Sequence, residues 1–299
     1  MNLDIGLVGY GEVGKIFASQ LKEQTGRWVG AWDIKFAEPA TRDAERAHAS
    51  GRGVEACESA AALCARSTLV ISAVTASNTL AVAREVARGI KPGTLFLDLN
   101  SASPGTKTQC ASLIDAAGGH YVEAGVMTSV PPYGIKVPML LGGKEAAALA
   151  DVLRRLGCDA TVVAEKIGVA SAIKMCRSVM IKGLEAIVIE SYTTARAYGV
   201  EEHMIPTLFE TFPGMDWNKH GAYFFSRVAQ HGKRRAEKMR EAANTVREAG
   251  FDPFMAAATA QKHDWVAQQS GAGVFDGVAR DASWQDYADR LLRKSRQKN

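Results

Sequence analysis

The sequence predicts an α/β protein: a doubly wound Rossmann domain over residues 1–165, then an all-α domain over residues 166–299 built on a long inter-domain helix. Two observations predict this division. Short apolar, β-rich runs alternate with helical segments up to about residue 165, which is typical of a parallel sheet covered by helices on both faces. After Gly168 the strand pattern ends and helical periodicity takes over.

The first domain contains seven runs with the composition and length of buried strands. These predicted strands are 3–9, 28–33, 69–74, 94–99, 121–124, 139–142 and 160–164. Helices are predicted between them near 12–25, 77–88, 104–117 and 145–156.

A run from about 169 to 198 contains no proline and one internal glycine, Gly183. A helix of roughly 30 residues spans about 45 Å, more than a small domain needs. We therefore expect it to leave the first domain and form the axis of the second. Further helices are predicted at about 201–211, 217–230, 232–249, 253–268 and 284–295.

The composition is that of an ordinary globular protein, with 47% hydrophobic and 23% charged residues. There is no run of ~18 apolar residues and no basic leader, so we expect a cytoplasmic protein without a membrane segment. The basic run at 233–235 is diluted by Glu237 and Glu241, which disfavours nucleic-acid binding. The five cysteines are scattered and lack metal-ligand spacing, so no metal is expected.

An apolar run enters a G-x-G-x-x-G turn formed by Gly9, Gly11 and Gly14, and a helical pattern follows it. In such a turn the first glycine permits a tight bend, the second lets a pyrophosphate approach the backbone, and the third lets the helix pack closely on the strand. A purely structural turn and a methyltransferase-like nucleotide site are the alternatives. The predicted cofactor-binding residues of this segment are Gly9, Tyr10, Gly11, Glu12, Val13 and Gly14.

Asp33 ends the second predicted strand about 20 residues later, where an acid binds the ribose 2′-hydroxyl of NAD. Its carboxylate would repel the 2′-phosphate of NADP. Lys35 leaves NADP possible, because a lysine two residues on is able to accept that phosphate. NAD is the favoured cofactor.

With these segments in view, residues 3–195 resemble the β-hydroxyacid dehydrogenases, the family of 6-phosphogluconate and 3-hydroxyisobutyrate dehydrogenases. Beyond the glycine turn, the segment 97–104 (LDLNSASP) is similar to the family's D-x-S-T-x-x-P, which lies beside the nicotinamide. The resemblance thus implies cofactor contacts by Asn100 and Ser101. Val74 and Thr75, at the end of the predicted strand 69–74, complete the predicted cofactor site.

Residues 122–129 (VEAGVMTS) fall where the family has D-A-P-V-S-G-G, a loop that holds the substrate carboxylate. Met127, Thr128 and Ser129 stand in place of Ser-Gly-Gly and are predicted to bind the substrate. This departure implies a substrate unlike that of a standard member.

The segment 168–174 (GVASAIK) is similar to the family's G-x-G-x-x-x-K, which opens the long helix and supplies the catalytic lysine. The resemblance implies that Lys174 is the catalytic acid/base. Ser178 stands where the family usually has asparagine.

At about 100° per residue, Ser178, Lys182 and Glu185 fall on the same side of the helix as Lys174. Alcohol oxidation needs a group that takes the hydroxyl proton, and a lysine whose pKa is lowered by burial and by a nearby cation does this near neutral pH. Arg177, Ser178 and Lys182 are predicted substrate contacts. The alternative is a solvated helix face with Lys182–Glu185 ion pairs.

The favoured function is NAD(P)-dependent hydride transfer to or from a small hydroxy acid or a related alcohol or carbonyl compound. The alternatives are a catalytically silent NAD-binding scaffold and an imine or ketone reductase. Residues 231–239 resemble a subgroup whose second domain has no known function. An all-α domain built on a long exposed helix leaves apolar faces uncovered, so we expect this substrate and dimerisation domain to form a homodimer.

Overall fold

The computed structural model describes residues 3–279 and 281–296, with side chains up to residue 294. The chain forms two compact units, the first ending at Met175 and the second beginning at Cys176. This division lies ten residues after the expected 165/166 boundary. The start of the long helix belongs to the first unit because Ala170 packs closely on Gly125, where an added Cβ would lie 2.8 Å from the Ala170 carbonyl oxygen.

The first unit contains an eight-stranded sheet in the order β3-β2-β1-β4-β5-β6-β7-β8. The strands are β1 Ile5–Val8, β2 Val29–Trp32, β3 Glu55–Ala56, β4 Leu69–Ser72, β5 Leu95–Asp98, β6 His120–Val126, β7 Met139–Gly142 and β8 Ala160–Ala164. The predicted α/β architecture is confirmed, and the seven predicted strands are all present. The two-residue strand β3 was not predicted.

The sheet departs from the predicted parallel pattern at one pair, because β7 runs antiparallel to β6. The connection between them contains only the short 3-10 turn Gly134–Lys136. A parallel neighbour needs a crossover, usually a full helix, to return the chain to the starting edge of the sheet. Without that helix the chain turns back and pairs in the opposite direction.

Helices cover both faces of the sheet. They are α1 Glu12–Thr25, α2 Arg42–Gly51, α3 Ala60–Arg66, α4 Thr79–Ala87, α5 Pro104–Ala116 and α6 Ala146–Arg155. Successive strand residues alternate between the two cores, so Leu7 packs into one and Val8 into the other. The strands are therefore apolar on both faces, which leaves polar groups to the strand ends.

The second unit is helical. Its elements are the C-terminal part of α7 Val169–Tyr198, then α8 Glu201–Thr211, α9 Trp217–Glu248, α10 Phe254–Gly271 and α11 Trp284–Arg296. Tyr192, Phe225 and Trp284 lie in its core. Backbone angles at His231 (φ −134°, ψ 17°) are not helical and kink α9 where the sequence predicts a break. Among the described residues, no helix has the length and apolarity needed to cross a membrane.

Candidate active site

The glycine turn has the geometry expected of a dinucleotide site. Gly9 has φ +99°, and a Cβ there would lie 2.5 Å from the Ala73 carbonyl oxygen. A Cβ on Gly14 would lie 1.9 Å from the Gly9 carbonyl oxygen, so the helix packs on the strand end only with glycine. Gly11, in contrast, borders open space and is the N-cap of α1 with no side-chain cap. The first N–H groups of α1 therefore suit a pyrophosphate that approaches over Gly11.

Asp33 joins the ends of β1 and β2. Its Oδ2 accepts a hydrogen bond from the Tyr10 backbone N–H at 2.6 Å, and its Oδ1 accepts one from the Lys35 N–H at 3.0 Å. These two bonds orient the carboxylate. Each oxygen retains a second lone pair, which is the acceptor that a ribose hydroxyl requires.

The Tyr10 side chain lies inside the fold instead of lining the surface. Its ring contacts Phe36 with centroids 5.3 Å apart, and its hydroxyl lies 3.1 Å from His48 Nδ1. Burial, followed by the nearby Glu45 carboxylate, raises the pKa of Tyr10 to about 12. The predicted contribution of Tyr10 to the cofactor site is thus limited to its backbone, which holds Asp33.

Asn100 links the ends of β4 and β5. Its Oδ1 accepts from the Val74 N–H at 2.7 Å, and its Nδ2 donates to Ser72 Oγ at 2.9 Å. Ser101 is buried beside it, whereas Thr75 is exposed. The side-chain amide of Asn100 therefore holds the backbone of Val74 in place. Val74 lies at the same edge of the sheet as the glycine turn.

A buried network that the sequence did not reveal lies under Asn100. Lys107 Nζ lies 3.0 Å from Asp98 Oδ1, and both side chains are 1% exposed. The Tyr121 hydroxyl donates to Asp98 Oδ2 at 2.6 Å, and burial together with the Asp98 charge raises the pKa of Tyr121. Asp98 Oδ1 also accepts from the Asn100 N–H at 2.8 Å. This network fixes the carboxyl end of β5.

The predicted substrate residues Met127, Thr128 and Ser129 follow β6 directly. The Met127 N–H donates to the Pro138 carbonyl oxygen at 2.9 Å, and Thr128 is exposed. Because β1, β4, β5 and β6 are parallel, this loop lies at the same edge of the sheet as the glycine turn. Ligands of doubly wound folds bind at this edge.

Lys174 is half-buried on α7 in the first unit. Its Cβ lies 3.7 Å from the position of a Cβ built on Gly125 of β6. This part of α7 is fixed by Glu123, a wholly buried residue that was not among the predicted site residues. Its Oε1 accepts from the N–H groups of Gly168 at 2.7 Å and Ala170 at 3.0 Å.

Glu123 Oε2 also accepts from the Ser171 N–H at 3.3 Å. A carboxylate at a helix N-terminus accepts hydrogen bonds from free N–H groups and interacts favourably with the positive end of the helix dipole. The available signal in the sequence was that Glu123 aligns with the acid opening the family's D-A-P-V-S-G-G segment. Glu123 therefore positions the helix that carries Lys174.

In the second unit, Ser178 is buried, Lys182 is half-buried and Arg177 is exposed. Lys182 Nζ donates to Ser178 Oγ at 2.9 Å. Glu185 pairs with Arg235, so the alternative of Lys182–Glu185 ion pairs on a solvated face is wrong. The pKa of Lys182 is lowered to about 7. Burial is the main cause, and the charges of Lys238 and Arg235 add to it.

A recess of about 310 Å³ lies between α8, α9 and α11, lined by residues such as Glu202, Phe209 and Gln285. None of the predicted site residues lines it. The candidate site of the first unit therefore rests on the sheet edge and on Lys174 of α7.

Two segments of the chain match known protein families. Residues 4–164, more than half of the chain, match the NAD binding domain of 6-phosphogluconate dehydrogenase. The chain belongs to this family. The resemblance inferred from the sequence is thereby confirmed, and the first unit is an NAD-binding Rossmann domain. Residues 195–266 match a domain of unknown function, DUF1932, which confirms the predicted subgroup.

Solved structures support this family membership. A conserved hypothetical protein from Sinorhizobium meliloti 1021 is 36% identical, with a TM-score of 0.79, over 98% of this chain and 97% of its own. A conserved protein of unknown function, reported to resemble 3-hydroxyacid dehydrogenases, is 30% identical with a TM-score of 0.69, over 90% and 99% of the two chains.

A Mycobacterium tuberculosis 3-hydroxyisobutyrate dehydrogenase solved with L-serine is 18% identical, with a TM-score of 0.70, over 97% of this chain and 99% of its own. At this identity the likeness shows the fold alone. Together with the family match, it identifies the protein as an NAD(P)-dependent oxidoreductase of the hydroxyacid dehydrogenase type.

Proposed function

We propose that this protein is a dehydrogenase that transfers hydride between NAD and a small hydroxy acid or a related alcohol or carbonyl compound, with Lys174 as the general acid/base. The observation that carries this proposal is the placement of Lys174. Glu123 anchors the start of α7, and Lys174 follows against Gly125 of β6, in the same unit as the glycine turn.

The nicotinamide, when bound, accepts the hydride of the alcohol carbon or returns it to a carbonyl carbon. The residues proposed to hold the cofactor are the glycine turn, Asp33, Val74, Thr75, Asn100 and Ser101. In oxidation the amine of Lys174 takes the hydroxyl proton as the C–H bond breaks. In reduction its ammonium gives a proton to the carbonyl oxygen, so the proton balance closes in both directions.

The substrate contacts proposed on the first unit are Met127, Thr128 and Ser129. Thr128 and Ser129 replace the two glycines of the family's loop. Their side chains leave less room beside the loop backbone and add hydroxyl groups that donate hydrogen bonds. Arg177, Ser178 and Lys182, which belong to the second unit, remain proposed substrate contacts. This combination favours a substrate that carries several oxygen atoms.

The test of this function is the formation of reduced nicotinamide, followed by absorbance, with NAD and NADP against hydroxy acids, aromatic alcohols and sugar-derived alcohols. Saturable turnover with at least one compound supports the proposal. Tight cofactor binding without turnover across the panel supports the silent NAD-binding scaffold instead.

We expect Asp33→Asn to lower NAD affinity about tenfold and to narrow the preference for NAD over NADP. The substitution removes a charged acceptor of the ribose hydroxyl and the charge that repels a 2′-phosphate. Titration of both cofactors by intrinsic fluorescence measures this change. Asp43→Asn is the matched control, since the exposed Asp43 side chain on α2 pairs with Arg42. Equal loss of affinity for both cofactors would contradict the NAD assignment.

We also propose a homodimer formed through α7. Met180 and Ile187 lie seven residues apart on this helix and are 73% and 51% exposed, with Ile181 beside them. Seven residues return almost to the same helix face, so these side chains form an apolar stripe. Burying such side chains yields about 1.5–3 kcal/mol each, which favours a partner with the same stripe.

The double variant Met180→Asp, Ile187→Asp is therefore expected to sediment as a monomer at concentrations where the unaltered protein is a dimer. Analytical ultracentrifugation measures this. Tyr133→Asp, which adds the same charge at an exposed aromatic of the first unit, serves as the control. A dimer that survives the double substitution rules out this stripe as the interface.

A further inference from the structure

The first unit buries a charged pair that the proposed reaction does not use. Lys107 of α5 and Asp98 of β5 are each 1% exposed, and the hydroxyl of the buried Tyr121 of β6 lies against them. These three residues are hereafter the Asp98 network. The attraction within a buried ion pair is largely offset by the cost of removing both charges from water, so the pair is weak evidence for stability. Its role is indicated by the groups that it holds.

The hydrogen bonds of the network converge on Asp98. Lys107 Nζ lies 3.0 Å from Asp98 Oδ1 and donates to the Asp98 carbonyl oxygen, also at 3.0 Å. The Tyr121 hydroxyl donates to Oδ2 at 2.6 Å. The backbone N–H of Asn100 donates to Oδ1 at 2.8 Å. The Asp98 carboxylate is therefore fixed at both oxygens, and it fixes the backbone of Asn100.

The side chain of Asn100 extends this order from β5 to β4. Its Oδ1 accepts from the Val74 N–H at 2.7 Å, and its Nδ2 donates to Ser72 Oγ at 2.9 Å. Asn100 and Ser72 are both buried. A carboxamide that accepts through oxygen and donates through nitrogen at the same time has one orientation. The position of Val74 therefore depends on that of Asn100.

Val74 in turn packs on the glycine turn. A Cβ built on Gly9 would lie 2.8 Å from Val74 Cγ1. Bonds and packing thus lead without a gap from the Asp98 network, through Asn100 and Val74, to the start of the predicted dinucleotide site. All of these residues belong to the first unit.

The order of the strands indicates which half of the dinucleotide this arrangement concerns. The strand β1, which leads into the glycine turn, lies between β2 and β4. Asp33, proposed to bind the adenosine ribose, follows β2 on one side. A pyrophosphate that crosses the turn therefore leaves the nicotinamide half over the ends of β4 and β5 on the other side. Ser72 and Asp98 are the last residues of these two strands.

We propose that the Asp98 network positions the nicotinamide half of the bound cofactor, with Lys107 and Tyr121 as positioning residues. They act through Asn100 and Val74 and do not touch the cofactor themselves. The network holds these two residues in place before the cofactor arrives, so binding does not have to order them. This inference rests on the cofactor site of the proposed function, but it concerns binding and not hydride transfer.

The experiment is calorimetric titration of the full chain with NAD and with ADP, together with a thermal unfolding scan. ADP contains the adenosine and both phosphates of NAD but lacks the nicotinamide half. Lys107→Met is expected to weaken NAD binding at least about tenfold and ADP binding less than about twofold. It also leaves the Asp98 carboxylate buried without its cation, so the melting temperature should fall.

A triple variant separates positioning from stability. Asp98→Leu, Lys107→Met and Tyr121→Phe together replace the network by apolar side chains and leave none of its polar groups unpaired. Such a replacement of a buried ion pair is often neutral or stabilising, so the melting temperature should recover relative to Lys107→Met alone. The Asn100 N–H still lacks the acceptor that fixes it, so NAD affinity should remain at least about tenfold low.

A milder variant and a control complete the series. Tyr121→Phe removes one donor and no charge, so it keeps the test available if the other variants do not fold. It is expected to weaken NAD binding roughly threefold and to leave ADP binding unchanged. Thr94→Val is the matched control, because Thr94 is buried just before β5, at the opposite edge of the sheet, and donates to the Ser67 carbonyl oxygen at 3.5 Å. It should leave the affinity for both ligands unchanged.

Three results would each overturn the proposal. NAD affinity that recovers together with the melting temperature in the triple variant would reduce the network to a structural role. Equal loss of NAD and ADP affinity would show that the nicotinamide half is not what the network positions. NAD affinity unchanged in every variant would exclude any effect on the cofactor. None of these measurements needs turnover, so the proposed hydride transfer is tested separately.

Discussion

Lys174→Met should lower kcat about 10²–10⁴-fold while NAD affinity changes by less than about twofold. Methionine has nearly the same length and flexibility as lysine but has no proton to exchange, so the packing of α7 on β6 is preserved. The residues proposed to hold the cofactor include the glycine turn and Asp33, which the substitution does not touch. Steady-state kinetics on the first compound that turns over, together with cofactor titration, measures both quantities.

Lys166→Met is the matched control for this prediction. Lys166 is exposed, precedes the same helix and is eight residues from Lys174. Its substitution should leave kcat unchanged. If Lys174→Met kept full activity, Lys174 would not be the acid/base, and a substrate that needs no proton transfer from the protein would be favoured.

Gly11→Ala should weaken NAD binding at least about 100-fold without lowering the melting temperature. A Cβ at Gly11 meets nothing within 4 Å, and the backbone angles there suit alanine, so the fold tolerates the change. The added methyl group would stand where the pyrophosphate is proposed to approach the backbone. Calorimetric titration of NAD and a thermal unfolding scan measure the two effects.

The control is Gly51→Ala, another position with open space around the added Cβ, at the end of α2. It should change neither binding nor stability. Gly14→Ala is unsuitable because its Cβ would clash with the Gly9 carbonyl oxygen at 1.9 Å and unfold the turn. Unchanged NAD affinity in Gly11→Ala would show that the dinucleotide does not cross this turn.

The sequence predicts most of the fold because the strands of the sheet centre are apolar on both faces and stand out from their surroundings. It did not reveal β3, with two residues, α2, whose ten residues are mostly exposed, or α3, with seven residues. Such elements are held by their neighbours and carry little local pattern. The antiparallel direction of β7 was also not predicted. It depends on the short connection between β6 and β7 and not on the residues of the strand itself.

The candidate site, too, contains residues that the sequence indicates and residues that it does not. The glycine turn and the acid about 20 residues after it follow a recognised spacing along the chain, so the sequence indicates them directly. Lys174 was identified by the resemblance of residues 168–174 to the family's lysine segment. Helical periodicity placed Ser178, Lys182 and Glu185 on one side of α7. Arg235 and His263 join them from α9 and α10, at least 50 residues further along the chain, and helix packing of that range leaves no local signal.

The most direct test of the central claim, hydride transfer that depends on Lys174, is an isotope experiment. NADH deuterated at the nicotinamide C4 is incubated with a panel of keto acids, ketones and imines, using the unaltered protein and Lys174→Met in parallel, and products are analysed by mass spectrometry. We expect at least one alcohol product carrying a single deuterium, formed by the unaltered protein and lost in the variant. NADH binding without label transfer, or equal transfer by both proteins, would contradict this account.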